Sequence, residues 1–211
     1  MLKGTVVYLR LFEPEDYEKT YEWHNDYDIQ KSTCGLIRFV SKEIEKDWVL
    51  SKATHNQTEL YLAICANETN EMIGWYSISD IDHLNRKCQC SGVVIGDKRY
   101  CDGEAFQEAG RLALGYIFNE LNMNRVTGSC LREHIMSRAQ MEAKYWKLEG
   151  VERQAVFKLG EYHDICHYSI LRDEYLLHLN NGDYNDRLII RRVAARIKEL
   201  KTELNNKDYK E

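Results

Sequence analysis

Three things are absent from this 211-residue chain. No stretch stays apolar over the roughly 18 residues that a membrane-spanning helix needs. The segment from Met1 to Arg10 also lacks the apolar run and small-residue cleavage site of a secretory leader. The expectation is a cytoplasmic protein with no membrane partner. There is one proline and no Pro/Gly-rich linker, internal repeat or low-complexity tract, so nothing separates two full domains. An excess of positive charge is missing as well: the formal net charge is -5 and the basic residues are scattered, which argues against nucleic acid as a partner.

Cysteine is present without forming a framework. The seven residues Cys34, Cys65, Cys88, Cys90, Cys101, Cys130 and Cys166 are odd in number and sit mostly in apolar segments, as reduced core thiols do. Cys88 and Cys90 form the one close pair and would share a face of a strand; no second pair completes a zinc site, so no metal is expected.

With 44% hydrophobic and 30% charged residues, the chain can both bury a core and solvate a surface, and its length suits one domain with an appendage. Thr5 to Leu11 is β-branched and aromatic and reads as a strand leading into a helix opened by Glu13-Pro-Glu-Asp16. Ser41 caps a second predicted helix. Leu60 to Cys65 and Met72 to Ile78 flank the polar turn Asn67 to Asn70 as a hairpin, and Cys90 to Ile95 reads as a central strand ended by Gly96-Asp97-Lys98. A helix with an apolar face at Leu112, Leu114, Tyr116, Ile117 and Leu121 follows. A strand at Arg125 to Leu131, a helix from His134 to Trp146, and paired strands at Val151 to Phe157 and Ile165 to Leu171 complete a mixed α/β sheet. Beyond Asp183, Ile189, Val193, Ile197, Leu200 and Leu204 mark an apolar stripe on a charged helix, which either packs on its own domain or pairs with a second subunit.

Several of these segments resemble the GNAT acyl-CoA N-acyltransferases, in the branch of ribosomal-protein and amino-sugar N-acetyltransferases. The likeness runs from about Val6 to Tyr175. It is carried by Val7-Tyr-Leu-Arg-Leu-Phe-Glu-Pro-Glu-Asp16, Trp23-His-Asn25, Met72-Ile-Gly74, Val94-Ile-Gly-Asp-Lys98, Phe118-Asn-Glu-Leu-Asn-Met-Asn-Arg-Val126 and Glu149-Gly-Val-Glu-Arg-Gln-Ala155. The resemblance implies an α/β fold with a mixed, mostly antiparallel central sheet flanked by helices. It assigns residues 1–178 to the acyltransferase domain and 179–211 to an added amphipathic helical extension. It also implies transfer of an acetyl group from acetyl-CoA to a primary amine of a protein N-terminus, an amino sugar or a polyamine, with a homodimer through the C-terminal helix as a further expectation.

In such a fold the central strand splays from its neighbour, so that Val93, Val94 and Ile95 would offer free backbone groups to the pantetheine arm. The loop Tyr100, Cys101, Asp102, Gly103, Glu104 and Ala105 would hold the diphosphate at a helix start, where unpaired N–H groups and the helix dipole favour an anion. The chain departs from the family pattern in places. Tyr100 stands where relatives carry Gln or Arg. His134, Ser137 and Met141 stand where relatives place Asn, Ser or Ala, and the Tyr that protonates the departing thiolate. A methionine has no proton to give, and Tyr145, one turn further along the predicted helix, is the candidate substitute. His134 is read either as a polar helix start or as a group that contacts the cofactor or takes the proton of the amine. Trp23, Asn25 and Asp82 are candidates for the acceptor side, against the alternatives of helix-end packing and loop polarity. A second class of function is carried alongside: a member of the fold that lost catalysis and serves as a binding or assembly subunit.

Overall fold

A computed structural model describes residues 1–54 and 57–207. Its strands are β1 (Leu2–Lys3), β2 (Val7–Leu11), β3 (Leu60–Ala66), β4 (Met72–Asp82), β5 (Lys87–Ile95), β6 (Arg125–Leu131), β7 (Lys147–Lys158) and β8 (Glu161–Leu171). The helices are α1 (Tyr17–His24), α2 (Tyr27–Ser32), α3 (Lys42–Thr54), α4 (Glu104–Asn119), α5 (Ile135–Ala143), α6 (Arg172–Asn180) and α7 (Asp186–Lys207). All strands share one sheet in the order β1-β2-β3-β4-β5-β6-β8-β7. Neighbours are antiparallel except β5 and β6, which run parallel.

Both faces of the sheet are covered, and β3 shows why its sequence is apolar throughout. Leu62, Ile64 and Ala66 point into the core that includes α4, whereas the alternate residues Ala63 and Cys65 join a smaller core with Phe12, Trp23, Val49 and Trp75. Helices α1 and α3 therefore lie on one face and α4 to α7 on the other. Cys88 and Cys90 do share a face, both packing into the larger core, and no disulfide links cysteines among the described residues.

Several elements differ from the sequence expectation, among them α2, which no pattern marked, and strands β4, β7 and β8, which run beyond their apolar segments. The central strand begins at Lys87, because its ladder with β4 extends past the apolar run through Gln89 and Lys87. Helix α5 ends at Ala143 instead of Trp146: Tyr145 takes φ 66°, and β7 starts at Lys147. Helix α6 was not marked in the sequence, since Tyr175 is its one buried residue and no apolar stripe announces it. Helix α7 packs on its own domain, one of the two arrangements expected for it. Ile189, Val193 and Leu200 belong to the same core as the sheet, and Arg196 pairs with Glu142 of α5.

Candidate active site

The site begins where two strands stop pairing. Parallel register between β5 and β6 runs from Lys87 opposite Arg125 to Cys90 opposite Gly128 and goes no further. Beyond that point β5 stays with β4, down to Ile95 opposite Gly74, and β6 stays with β8, down to Leu131 opposite Ile165. The result is a V-shaped gap. Its cause is local: Ser77 faces Gly92 while Ile78 faces Cys90, so Ser91 is an extra residue in β5, and such a bulge bends the strand that carries it. Gly96 donates its amide to Ile73 of β4. By the alternation of an antiparallel ladder, the amides of Val93 and Ile95 then turn away from β4 into the gap, and that of Val94 does not.

Cavities open on both sides of this gap. On the α4–α5 side, a recess of about 150 Å³ is bounded by Cys90, Gly92, Phe106, Gly128, Met141 and Lys144. It connects through Val93, Phe106, Ser137 and Gln140 with a groove of about 550 Å³ that leads past His134 to Tyr100, Cys101, Asp102 and Gly103, its outer wall formed by Ile190, Val193 and Ile197 of α7. On the α2 side, a third cavity of about 430 Å³ reaches the same strand ends and carries Asp26, Asp28, Gln89 and His134.

The loop that closes the groove is shaped by its side chains. Asp97 accepts from the Arg99 amide, and Asp102 accepts from the Glu104 amide at 3.0 Å. Gly103 caps α4 with φ 99°, a left-handed conformation that glycine adopts without strain, and a Cβ there would meet nothing within 4 Å. The N-terminus of a sixteen-residue helix thus points at open space, as an anion site requires. Gln107, 1% exposed, donates to Gln140 of α5 at 2.6 Å, while its Oε1 has no hydrogen-bond partner. A buried acceptor left open beside the groove suits a ligand that brings an N–H, and the amides of a pantetheine arm are such donors.

His134 caps α5, its Nδ1 2.6 Å from Ser137 Oγ, and burial lowers its pKa, so the imidazole is neutral at pH 7. Both residues border the groove and the α2-side cavity. Trp23 is 6% exposed and stacks on Trp75, with its ring against Gly96, where a Cβ would approach to 2.2 Å. It anchors α1 beneath the end of β5. Asn25 fixes the segment after α2, bonding the Val40 amide and carbonyl and the Tyr21 carbonyl.

Three candidates fall outside the cleft. Tyr145 lies against His178, ring centroids 3.4 Å apart, with the Arg192 guanidinium over it. The argument from helical spacing fails because the helix ends before it. Asp82 accepts from Asn85 in the β4–β5 turn, at the paired end of β5 and far along the strand from the gap. Glu104 borders a separate recess with Thr5, Glu108 and Asp186 on the other side of α4, which keeps its charge out of the groove. Conversely, Lys144 and Gln107 were missed, since neither lies in a motif and a buried polar side chain has no sequence signature.

Comparison with known proteins follows the geometry. A family model described as an acetyltransferase (GNAT) domain matches residues 7–143. The chain is 27% identical over 177 residues to the putative ribosomal N-acetyltransferase YdaF of Bacillus subtilis (strain 168), spanning 79% of this chain and 92% of that protein. Among solved structures, spermidine N-acetyltransferase from Vibrio cholerae in complex with CoA and spermine superimposes with a TM-score of 0.74 at 21% identity, over 82% of this chain and 99% of that one. A structure described as a probable acetyltransferase gives a TM-score of 0.68 at 26% identity, over 81% and 96% of the two chains.

Proposed function

Since the chain belongs to the GNAT acetyltransferase family, we propose that it moves an acetyl group from acetyl-CoA to a primary amine that enters from the α2 side, by direct attack without a covalent enzyme intermediate. The observation that carries this reading is the gap between β5 and β6, with two backbone amides turned into it and a cavity on each side. A thioester carried along the groove and an amine brought from the opposite face meet only there, and fixing them in one place supplies much of the acceleration.

The residues divide the work by position. Tyr100 to Gly103 and the free N–H groups of α4 would hold the diphosphate; the amides of Val93 and Ile95 and the open Gln107 Oε1 would hold the arm. An attacking amine must be neutral, and His134, uncharged and 2.6 Å from Ser137 Oγ, would take its proton. The recess of about 150 Å³ at the closed end of the gap is where the acyl group would sit. Asp26 and Asp28 border the other cavity together with Lys98; Asp28 pairs with Lys31 and Asp26 lies 3.8 Å from Lys98, so a polyamine, a protein N-terminus and an amino sugar all stay open as acceptors.

Titration calorimetry with acetyl-CoA tests the first half. Micromolar binding is expected, and no heat at near-millimolar ligand would overturn the reading. Release of free thiol in the presence of a polyamine, an N-terminal peptide or an amino sugar tests the second: turnover of one of them is expected, and turnover of none would overturn it.

A further inference from the structure

One charged side chain faces the gap without a partner. Lys144 follows the last residue of α5 and is 8% exposed. Among the described residues it is the sole ionisable cation bordering the recess at the closed end of the V. Among the described residues no hydrogen bond or ion pair reaches its ammonium; its neighbours are the face of Phe106, centroid 4.9 Å away, and Gly110, where a Cβ would stand 3.4 Å from Nζ. The missing side chain at Gly110 leaves the ammonium its room. Asp186 acts on it through charge alone, and a buried ammonium with no hydrogen-bond acceptor costs stability, so an arrangement of this kind needs a reason outside folding.

The recess supplies one. Met141, which stands where relatives carry the tyrosine that protonates the departing thiolate, borders the same space one helical turn before Lys144. We propose that Lys144 is the proton donor to the thiolate leaving the acetyl group, in place of that tyrosine. This inference rests on the function proposed above.

The proton count closes. The amine nitrogen forms its bond to the acyl carbon as the carbon–sulfur bond breaks. The Lys144 ammonium gives one proton to the sulfur, the nitrogen loses one to His134 and thence to water, and the neutral Lys144 regains a proton from solvent. Products are the amide and the free thiol.

The surroundings agree with the role. Burial lowers the Lys144 pKa to about 8, with Cys90 and Asp186 acting in the opposite sense. The titratable groups around it are Cys90 and Tyr76 from the sheet, Asp186 from α7, and Tyr184, whose hydroxyl donates to the Lys144 carbonyl. Burial pushes the Cys90 thiol up to about 11 and raises Tyr76 as well, so both are neutral at pH 7. Asp186 Oδ1 lies 3.5 Å from Arg111 but accepts no hydrogen bond. Lys144 alone exchanges a proton near neutrality, as an acid matched to a thiolate must.

The test compares wild type, Lys144→Met, Lys144→Arg and the double variant Lys144→Met with Met141→Tyr, using acetyl-CoA and the best acceptor from the thiol-release panel. Lys144→Met is expected to lose about 100-fold in kcat, to keep acetyl-CoA affinity within about threefold by calorimetry, and to lose the alkaline limb near pH 8 that an obligatory ammonium imposes. Arginine, which does not release its proton, is expected to fail equally, and the tyrosine variant to recover at least tenfold. Independently of turnover, NMR titration of the labelled lysine ε-amines should show one resonance near pH 8 that is missing from Lys144→Met and shifts when CoA is bound. Unchanged turnover and pH profile in Lys144→Met would overturn the donor role while leaving the cleft intact. A loss confined to affinity would do the same. No binding of acetyl-CoA to wild type would overturn both.

Discussion

Two buried lysines are treated differently. Lys158, at the end of β7, is 3% exposed and donates to the carbonyls of Gln30, at 2.7 Å, and Thr33. It pins the chain that follows α2 to the β7–β8 hairpin. Lys144, at the gap, has an aromatic face and no acceptor. Burial lowers the pKa of both. The difference teaches where charge is structural: an ammonium whose donors are matched is a clamp, whereas one left open in a cleft is held ready for something that arrives.

That contrast can be broken most directly by removing each charge in turn. Lys158→Met leaves two buried carbonyls unmatched and is expected to cost about 3 kcal/mol in urea unfolding. Lys144→Met removes an unpaired charge and is expected to cost nothing or to stabilise at pH 7. Equal losses would erase the distinction. A buried carboxylate provides a further reference. Glu108 is 2% exposed and accepts from Thr5 Oγ1 and from the amides of Thr5, Val6 and Val7 at 2.6–2.8 Å. Burial would raise its pKa, yet these bonds hold it below the usual carboxylate value. Its stabilisation is therefore complete above the unfolded pKa and fades as pH falls through the lower folded one. Glu108→Gln should lose about 2 kcal/mol at pH 7 and progressively less in acid, as chemical denaturation at several pH values would report.

The pH dependence of Lys144 has the same sign but falls at the alkaline end of the scale. Its folded pKa near 8 lies below the unfolded value of 10.5, so between the two the unfolded chain binds more protons and stability rises with pH. The advantage of Lys144→Met over wild type should shrink between about pH 8 and pH 10; a constant difference would mean that the amine is solvated. The smallest effect is expected from Gly110→Ala. Helix propensity favours the substitution by about 1 kcal/mol, crowding of Nζ opposes it, and the net change in stability should stay within about 1 kcal/mol while the Lys144 resonance moves.

The cleft was legible unevenly. Apolar runs at Leu60 to Cys65 and Cys90 to Ile95 marked strands because a short apolar run bounded by turn residues is visible without knowledge of neighbours. The partition of β5 from β6 was expected from resemblance and not from periodicity, since pairing partners are chosen across the fold. Tyr145 illustrates the limit of local rules: residues four apart share a face only while the helix lasts, and here it ends at Ala143. Tyr145 then turns away at φ 66° toward His178, and Lys144 is left facing the recess.

By itself the sequence determined the strands and most helices, the left-handed turn that only Gly103 fits easily, and the family to which the matched segments belong, because these depend on propensity, spacing and backbone freedom within a few residues. Tertiary structure decided which charges are paired. Whether an ammonium finds a carbonyl, as Lys158 does, or faces an empty recess, as Lys144 does, depends on groups brought from distant parts of the chain, and no local pattern encodes that meeting.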